Sequence, residues 1–561
     1  MVYTPSSRLA PPLVDLPIRR ASSGYYSGFN TRVTITAKII VSALIVWAIL
    51  FPTQANDTLT LANERVITAF AGWYVYLVAA LMVVSLAVAL IPQFGTMRLG
   101  EPGEAPEFSY FSWFAMLFGA GIGIGMLTYS TGEPLAHFQN NPQIIAGTLE
   151  AASAEAVRPA YVYTFLHWGF AAWATYALVG LAVGYVAYRR ALPLTIRSSL
   201  APLFGKSLSG LPGDIVDIVA VVATVVGVAV TLGLGVDQFV AGLYRMGLGE
   251  WLLDGDGNSS AAAIILALSL LVGASTISAL SGVGKGIKWL SNLNLGLSFL
   301  LLATFLIVGS GALGIELLFT GIADYLRLLP ARTLTLFADG PGVAGEMHQW
   351  QLDWSVFYWA WWIAFAPFVG MFIARISRGR TVREYVLGVV LVPSLMCFVW
   401  MALAGGTAID LELSGAAGGS ILEAGISDQL YATLSVLLSE GWAQVFAGLV
   451  VVLLMTYLIT SADSAILIVN TINGAGEDDD AHDRRRHIIF WGAALALVVG
   501  SMLILGGIDA IRITMILGAL PFSFVTALMA ISVLKALIWD VRRKRQKVPV
   551  TAEAIQGWSD G

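Results

Sequence analysis

Residues 357–371 read FYWAWWIAFAPFVGM, and the rest of the chain is best understood outward from them. Tyr358, Trp359, Trp361 and Trp362 crowd about one and a half helical turns. Pro367 and Gly370 follow, inside a segment apolar enough to cross a bilayer. A lipid-facing surface asks for Leu, Ile and Val, not for three indoles beside a helix breaker. Indole faces carry negative quadrupole density, and their best-attested use is to hold a cation that offers no hydrogen bond, such as a quaternary ammonium group. Irregular backbone at membrane depth is tolerated where it lines a cavity or packs on protein. A broken helix beside a buried site for a bulky organic cation is therefore expected.

Composition sets the class. Of 561 residues, 57% are hydrophobic and 12% charged, and the mean hydropathy is +0.78; this is a polytopic membrane protein, all-α in fold class. The single cysteine, Cys397, lies in an apolar run, which excludes a disulfide framework and predicts a buried, inert thiol. Residues 1–31 hold Arg19 and Arg20 but no apolar core, and read as a soluble tail.

Apolar segments of roughly 20 residues, the length that crosses the hydrocarbon layer, fall near 34–52, 70–92, 111–130, 161–188, 214–243, 261–280, 286–310, 352–374, 384–404, 441–471, 488–507 and 510–539, about twelve in all. Connections rich in Lys and Arg alternate with poor ones. The basic set holds Arg189, Arg190, Arg197 and Lys206, then Lys285 and Lys288, then Arg375, Arg378, Arg380 and Arg383, then Arg484, Arg485 and Arg486. The stretch 405–440 has neither Lys nor Arg. The positive-inside rule places the basic set, both termini and the short tail 542–561 on the cytoplasmic side of the membrane. The connection 311–351 contains LGIELLFTGIADYLRLL, whose spacing predicts an amphipathic helix on the outer surface.

A second unusual segment, WFAMLFGAGIGIGM at 113–126, alternates Gly119, Gly121, Gly123 and Gly125. Small residues can mark tight helix packing. Glycine at every second position is not the spacing of one packing face, however, and it bares backbone carbonyls and N–H groups. The two odd segments each lead five spans, 111–310 and 352–541. Because five is odd, the second group must enter the membrane from the opposite side, as in inverted-repeat transporters with broken helices at a midplane site. Residues 32–110 supply two spans outside the repeat. In the fourth span Trp168, Trp173 and Tyr176 lie at spacings of five and three, near one face. An interfacial aromatic belt is the alternative; the depth of Trp168 and Trp173 favours a cage. In the tenth span TSADSA (460–465) offers hydroxyls from Thr460 and Ser461, which either bond the preceding turn or join carbonyls of Gly119 and Ile122 around a hard cation.

FGAGIGIGM with TGEP (131–134), LHWGFAAWATYALVG (166–180), WAWWIAFAPFVGMFIARISRGRTVREY (359–385) and TSADSA together resemble the betaine/choline/carnitine transporters over about Arg32–Val541. The resemblance implies a leucine-transporter-like fold of two inverted five-helix repeats, a homotrimer in membrane lipid, and sodium-coupled import of trimethylammonium or sulfonium solutes for osmoprotection: glycine betaine, choline, carnitine or dimethylsulfoniopropionate. It assigns Trp168, Trp173, Tyr176 and Trp362 to an onium box, with Trp361 and Phe365 beside them and Gly121, Gly123 and Gly125 facing the solute's other end. It places sodium on Thr460, Ser461 and the Tyr457 carbonyl, with Gly119 and Ile122. Many relatives carry a further tryptophan where this chain has Phe365, and two threonines of a second sodium site where it has Thr224 and Val228. A sodium-independent exchanger, or a channel or receptor for onium compounds, are the rival readings.

No nucleophile–base pair, phosphate loop or metal-ligand cluster is visible in the sequence, so neither an enzyme, a cofactor nor a nucleic-acid partner is expected. Glu133 and Asp463 are carboxylates at membrane depth, read as helix caps or arginine partners before proton relays. His167 has no partner at metal-ligand spacing and reads as a satisfied core histidine. Arg375, Arg378, Arg380 and Arg383 read as a cytoplasmic anchor.

Overall fold

The computed structural model describes residues 9–118, 123–281, 284–476 and 484–559, the side chains at 118, 281–291 and 559 excepted. Its principal helices are α1 (Thr31–Leu50), α2 (Pro52–Leu90), α3 (Tyr110–Phe118), α4 (Gly123–Gln139), α5 (Val157–Trp168), α6 (Phe170–Arg190), α7 (Leu211–Arg245), α8 (Ala261–Ser281), α9 (Gly284–Ile307), α10 (Gly311–Leu334), α11 (Phe357–Arg375), α12 (Val382–Leu413), α13 (Glu440–Asn473) and α14 (Arg484–Arg545). Among the described residues nine helices are long and apolar enough to cross a membrane, or ten if the bent pair at 292–334 is one span. Two of the predicted apolar segments share α14, which folds at Gly506 and at Gly507 (φ +64°). The protein is a multi-pass, all-α membrane protein.

Three features differ from the sequence reading, each for a tertiary reason. The fourth span is broken: α5 stops at Trp168, and the α6 N-terminus at Phe170 donates its N–H to the Tyr325 hydroxyl of α10, 3.0 Å away. Gly169 fills this gap because a Cβ there would stand 2.4 Å from the Phe165 carbonyl oxygen and 2.7 Å from that hydroxyl. By contrast α11 runs unbroken through Pro367, and the expected irregularity sits ahead of it, as a π turn at Leu352–Val356. Proline removes one helical hydrogen bond, and the buried packing of α11 against α6 and α7 holds the remainder in line. Finally, the α10 helix exposes Ile315, Phe319 and Leu326 as an amphipathic helix does, yet buries Leu317, Gly321 and Tyr325 against α5 and α12. It is a structural partner of the bundle as well as a surface element.

The centre of the bundle is α11, packed on α6, α7 and α14. Gly227 of α7 permits a close approach: a Cβ there would stand 2.8 Å from the Ala364 carbonyl carbon and 3.0 Å from the Phe365 nitrogen. Both are backbone atoms and cannot swing aside. Gly227→Val is expected to cost about 1–3 kcal/mol through overpacking, read as a lower unfolding midpoint in detergent; an unchanged midpoint would show that α7 and α11 are less tightly joined than this.

Candidate functional site

Helices α4, α5, α6, α7 and α11 converge on a chamber lined by Gly125, Trp168, Ala172, Trp173, Tyr176, Thr231, Trp361, Trp362 and Phe365. The aromatic members are at most 5% exposed, so they face one another and not lipid. Trp168 meets Trp362 edge to face at 5.2 Å between ring centroids, and Trp173 meets Tyr176 likewise at 5.5 Å. Tyr176 lies 6.1 Å from Trp362 and 6.4 Å from Phe365, while Trp361 and Trp362 stack at 4.9 Å with an interplanar angle of 13°. The break at Gly169 leaves Trp168 as the last residue of α5 and Trp173 in the first turn of α6.

The walls are apolar but not devoid of polarity. Thr231 Oγ1, Tyr176 OH and Trp361 Nε1 are buried and have no hydrogen-bond partner among the described residues. Three orphaned polar atoms around one aromatic chamber suit a ligand with an apolar cation at one end and oxygens at the other. Only about 10 Å³ is open to the centre of a water molecule, room for about one water. A trimethylammonium head is larger than that, so its entry requires the rings to part. Cys397 is free and buried, as expected.

Sequence reasoning missed two contributors. Thr231 comes from α7 and has no motif around it to draw notice. The other is a polar layer behind Trp168. Glu133 Oε1 accepts from His167 Nδ1 at 2.6 Å and from His137 Nε2 at 3.2 Å. Its Oε2 accepts from the Trp168 indole N–H at 2.5 Å and from the Tyr358 hydroxyl at 2.6 Å. The second His167 nitrogen meets Ser355 Oγ at 2.9 Å, and the His167 carbonyl accepts from Trp362 Nε1 at 2.9 Å. His167 is thus not partnerless: Glu133, His137 and His167 bring three ligating atoms within 4.8 Å of one another. The Glu133–His137 spacing of four, which puts both on one helix face, was the available signal. Both imidazoles share one carboxylate oxygen at hydrogen-bond distance, and the other oxygen is occupied, so the geometry is that of a hydrogen-bonded network.

The glycines divide. Gly125 lines the chamber, and its added Cβ would stand 3.0 Å from Trp168. Gly123 faces α13, where a Cβ would fall 2.2 Å from the Tyr457 ring. Gly119, Gly121 and Ile122 lie outside the described residues. On α13, Thr460 Oγ1 donates to the carbonyls of Thr456 at 3.0 Å and Tyr457 at 3.2 Å, while Ser461 is buried. Thr460 thus makes the bond to the preceding turn that membrane hydroxyls usually make, and the Gly123–Tyr457 contact brings α4 beside α13. Asp463 accepts from Ser278 Oγ at 2.6 Å, and among the described residues no arginine pairs with it.

The basic connection 375–383 is drawn into protein more than a lipid anchor requires. Arg380 is 1% exposed, its guanidinium 4.0 Å from the Trp113 ring centroid. Arg383 donates to the Ala89 carbonyl, and Arg378 pairs with Glu104 at 2.6 Å.

Comparison with known proteins agrees with this architecture. A model of the betaine/carnitine/choline family transporters matches residues 32–542. The glycine betaine transporter OpuD of Bacillus subtilis is 36% identical over 515 residues, covering 91% of this chain and 95% of that protein. The osmo-independent choline transporter BetT1 of Acinetobacter baylyi is 36% identical over 510 residues, 91% and 93% of the two chains. The high-affinity choline transport protein of Escherichia coli K12 is 37% identical over 474 residues, 84% of this chain and 67% of that protein. A chain that joins a buried aromatic chamber to matches of this extent is a transporter rather than an enzyme, and it belongs to the betaine/carnitine/choline transporter family.

Proposed function

We propose that the protein is a secondary active symporter that imports a quaternary ammonium or sulfonium solute, of the glycine betaine or choline kind, by alternating access and coupled to sodium. The observation that carries the reading is the closed aromatic chamber with its orphaned hydroxyls and indole N–H. Relatives named for glycine betaine and for choline transport support the substrate class. The cation would sit among Trp168, Trp173, Tyr176 and Trp362, and Thr231, Tyr176 OH and the Gly125 region would receive the oxygen-bearing end.

One coupled sodium is the preferred stoichiometry. Thr460, Ser461 and the Tyr457 carbonyl are the candidate ligands. The second position seen in relatives has little to offer here. Thr224 donates its hydroxyl to the Ala220 carbonyl at 2.8 Å, and Val228 shares with it a pocket otherwise walled by Val225, Ala465, Ile466, Val469, Trp491 and Leu495. Two inverted five-helix repeats at 111–310 and 352–541, a homotrimer, and cytoplasmic termini in an inner membrane complete the proposal. A contact between the two end regions, Leu9 N–H donating to Gln546 Oε1 at 3.0 Å, supports placing them on one side.

Uptake of labelled choline, glycine betaine, carnitine and dimethylsulfoniopropionate into liposomes, with sodium and proton gradients imposed separately, tests this. Saturable accumulation of at least one solute driven by inward sodium is expected. Accumulation that needs only a counter-solute inside would make the protein an exchanger, a proton-driven one would move the coupling ion, and flat uptake in every arm would reject transport of onium compounds.

A further inference from the structure

Glu133 is fully buried at membrane depth and accepts four hydrogen bonds, two on each carboxylate oxygen. That saturates a carboxylate and suits its ionised form, since a protonated acid would have to donate from one of those oxygens. Trp168 can only donate, and Tyr358 OH, 3.2 Å from the indole nitrogen, must turn its own proton toward Glu133. Each imidazole reaches the carboxylate through one nitrogen, so neither has to be charged to make its contact. Among the described residues no lysine or arginine pairs with Glu133; its ion-pair partners are these two histidines. The carboxylate is therefore buried without a lysine or arginine partner, directly behind a ring that lines the chamber.

We propose that Glu133 is the positioning residue and fixed counter-charge of the chamber. Its carboxylate holds the Trp168 indole edge-on and enriches the ring face that an onium head would touch. The inference rests on reading the chamber as an onium site. Its physics is simple. Donating an N–H to a carboxylate polarises the indole toward its π face, where cation attraction originates. The charge itself adds Coulombic attraction through a medium poor in water. Through the His167 carbonyl, which accepts from Trp362, the same residues also hold the neighbouring ring.

The test compares choline with its uncharged carbon isostere, in which a tert-butyl group replaces the trimethylammonium, both titrated by calorimetry against the purified full-length protein; glycine betaine and its isostere form a second pair. The natural protein is expected to prefer the onium ligand. Glu133→Gln is expected to lower that preference roughly tenfold, and Glu133→Asp, which keeps the charge, to lower it less. Trp168→Phe removes the contacting N–H while leaving the carboxylate its other three donors; it too should lower the preference, and adding Glu133→Gln should then change it by less than tenfold. Equal loss of onium and isostere in Glu133→Gln would reduce Glu133 to a packing role and overturn the proposal. If that variant does not fold, Trp168→Phe decides alone, an unchanged preference overturning it. If the natural protein binds neither ligand of either pair, the onium reading and this inference fall together; if it binds the onium and only the preference survives substitution, the role of Glu133 falls by itself.

Discussion

Replacing Trp362 by Leu is expected to remove most of the affinity for an onium solute while leaving a folded protein. Trp362 touches more of the chamber than any single contact suggests: it stacks on Trp361, faces Trp168 and Tyr176 edge to face, and donates its N–H to the His167 carbonyl. An aliphatic residue removes a π face worth about 0.5–2 kcal/mol toward a desolvated cation. It also removes ring–ring contacts worth about 0.5–1.5 kcal/mol each and leaves the His167 carbonyl without its donor. The π face alone accounts for a loss of up to about 2 kcal/mol, roughly thirtyfold in the half-saturating concentration, and misplacement of the remaining rings adds to it. Uptake kinetics in liposomes measure it. The double variant Trp173→Leu/Trp362→Leu should lose saturable uptake altogether; affinity within a few-fold of the natural protein's would exclude these rings as the cation site.

The second large effect concerns stability. Arg197 is fully buried: its Nε and backbone N–H reach Asp217 at 2.5 and 3.0 Å, and its Nη2 reaches Asp214 at 2.8 Å. Asn30, whose side chain caps α1 at Val33, also donates to Asp214 at 2.9 Å. One guanidinium thus ties the connection before α7 to the first turns of α7 and, through Asp214, to the start of α1. Removing one member of a buried ion cluster leaves charge unpaired and costs about 3–5 kcal/mol, although the intact cluster adds little over an apolar replacement. Arg197→Met should lower the unfolding midpoint in detergent sharply. Arg197→Met/Asp214→Asn/Asp217→Asn should recover much of the loss. If the triple variant melts no higher than the single one, the damage lies in packing and not in stranded carboxylates.

Arg197 also marks where sequence reading stopped. In the sequence it counted as one of several basic residues in a cytoplasmic connection, which the positive-inside rule needs and which carries no information about burial. The acids that bury it are seventeen and twenty residues away, beyond any helical spacing. The all-α membrane class was legible, because composition fixes it; helix lengths were not, since α2, α7 and α14 run well beyond the roughly 20 residues that a crossing needs. The chamber was legible for a related reason: Trp168, Trp173, Tyr176 and Trp362 stand in two short runs whose aromatic density has no use in lipid. The break at Gly169 was not, since a lone glycine in an apolar run is common and only Tyr325, from α10, gives it a purpose. Pro367 misled in the opposite sense: its local preference for a break yields to packing on both sides. Glu133 was noticed as a carboxylate at membrane depth, but its four donors come from α4, α5 and α11, and no linear pattern joins them.

The alternating access proposed above would give the near-closed chamber a role. Rings that must part to admit a cation link its binding to movement of α11 against its neighbours, provided the rings are where the cation goes. A structure of the protein with bound choline or glycine betaine tests that most directly. The onium nitrogen is predicted within about 6 Å of the ring centroids of Trp168, Trp173, Tyr176 and Trp362, with those rings moved apart around it. A head group resolved anywhere outside these four rings would contradict the account.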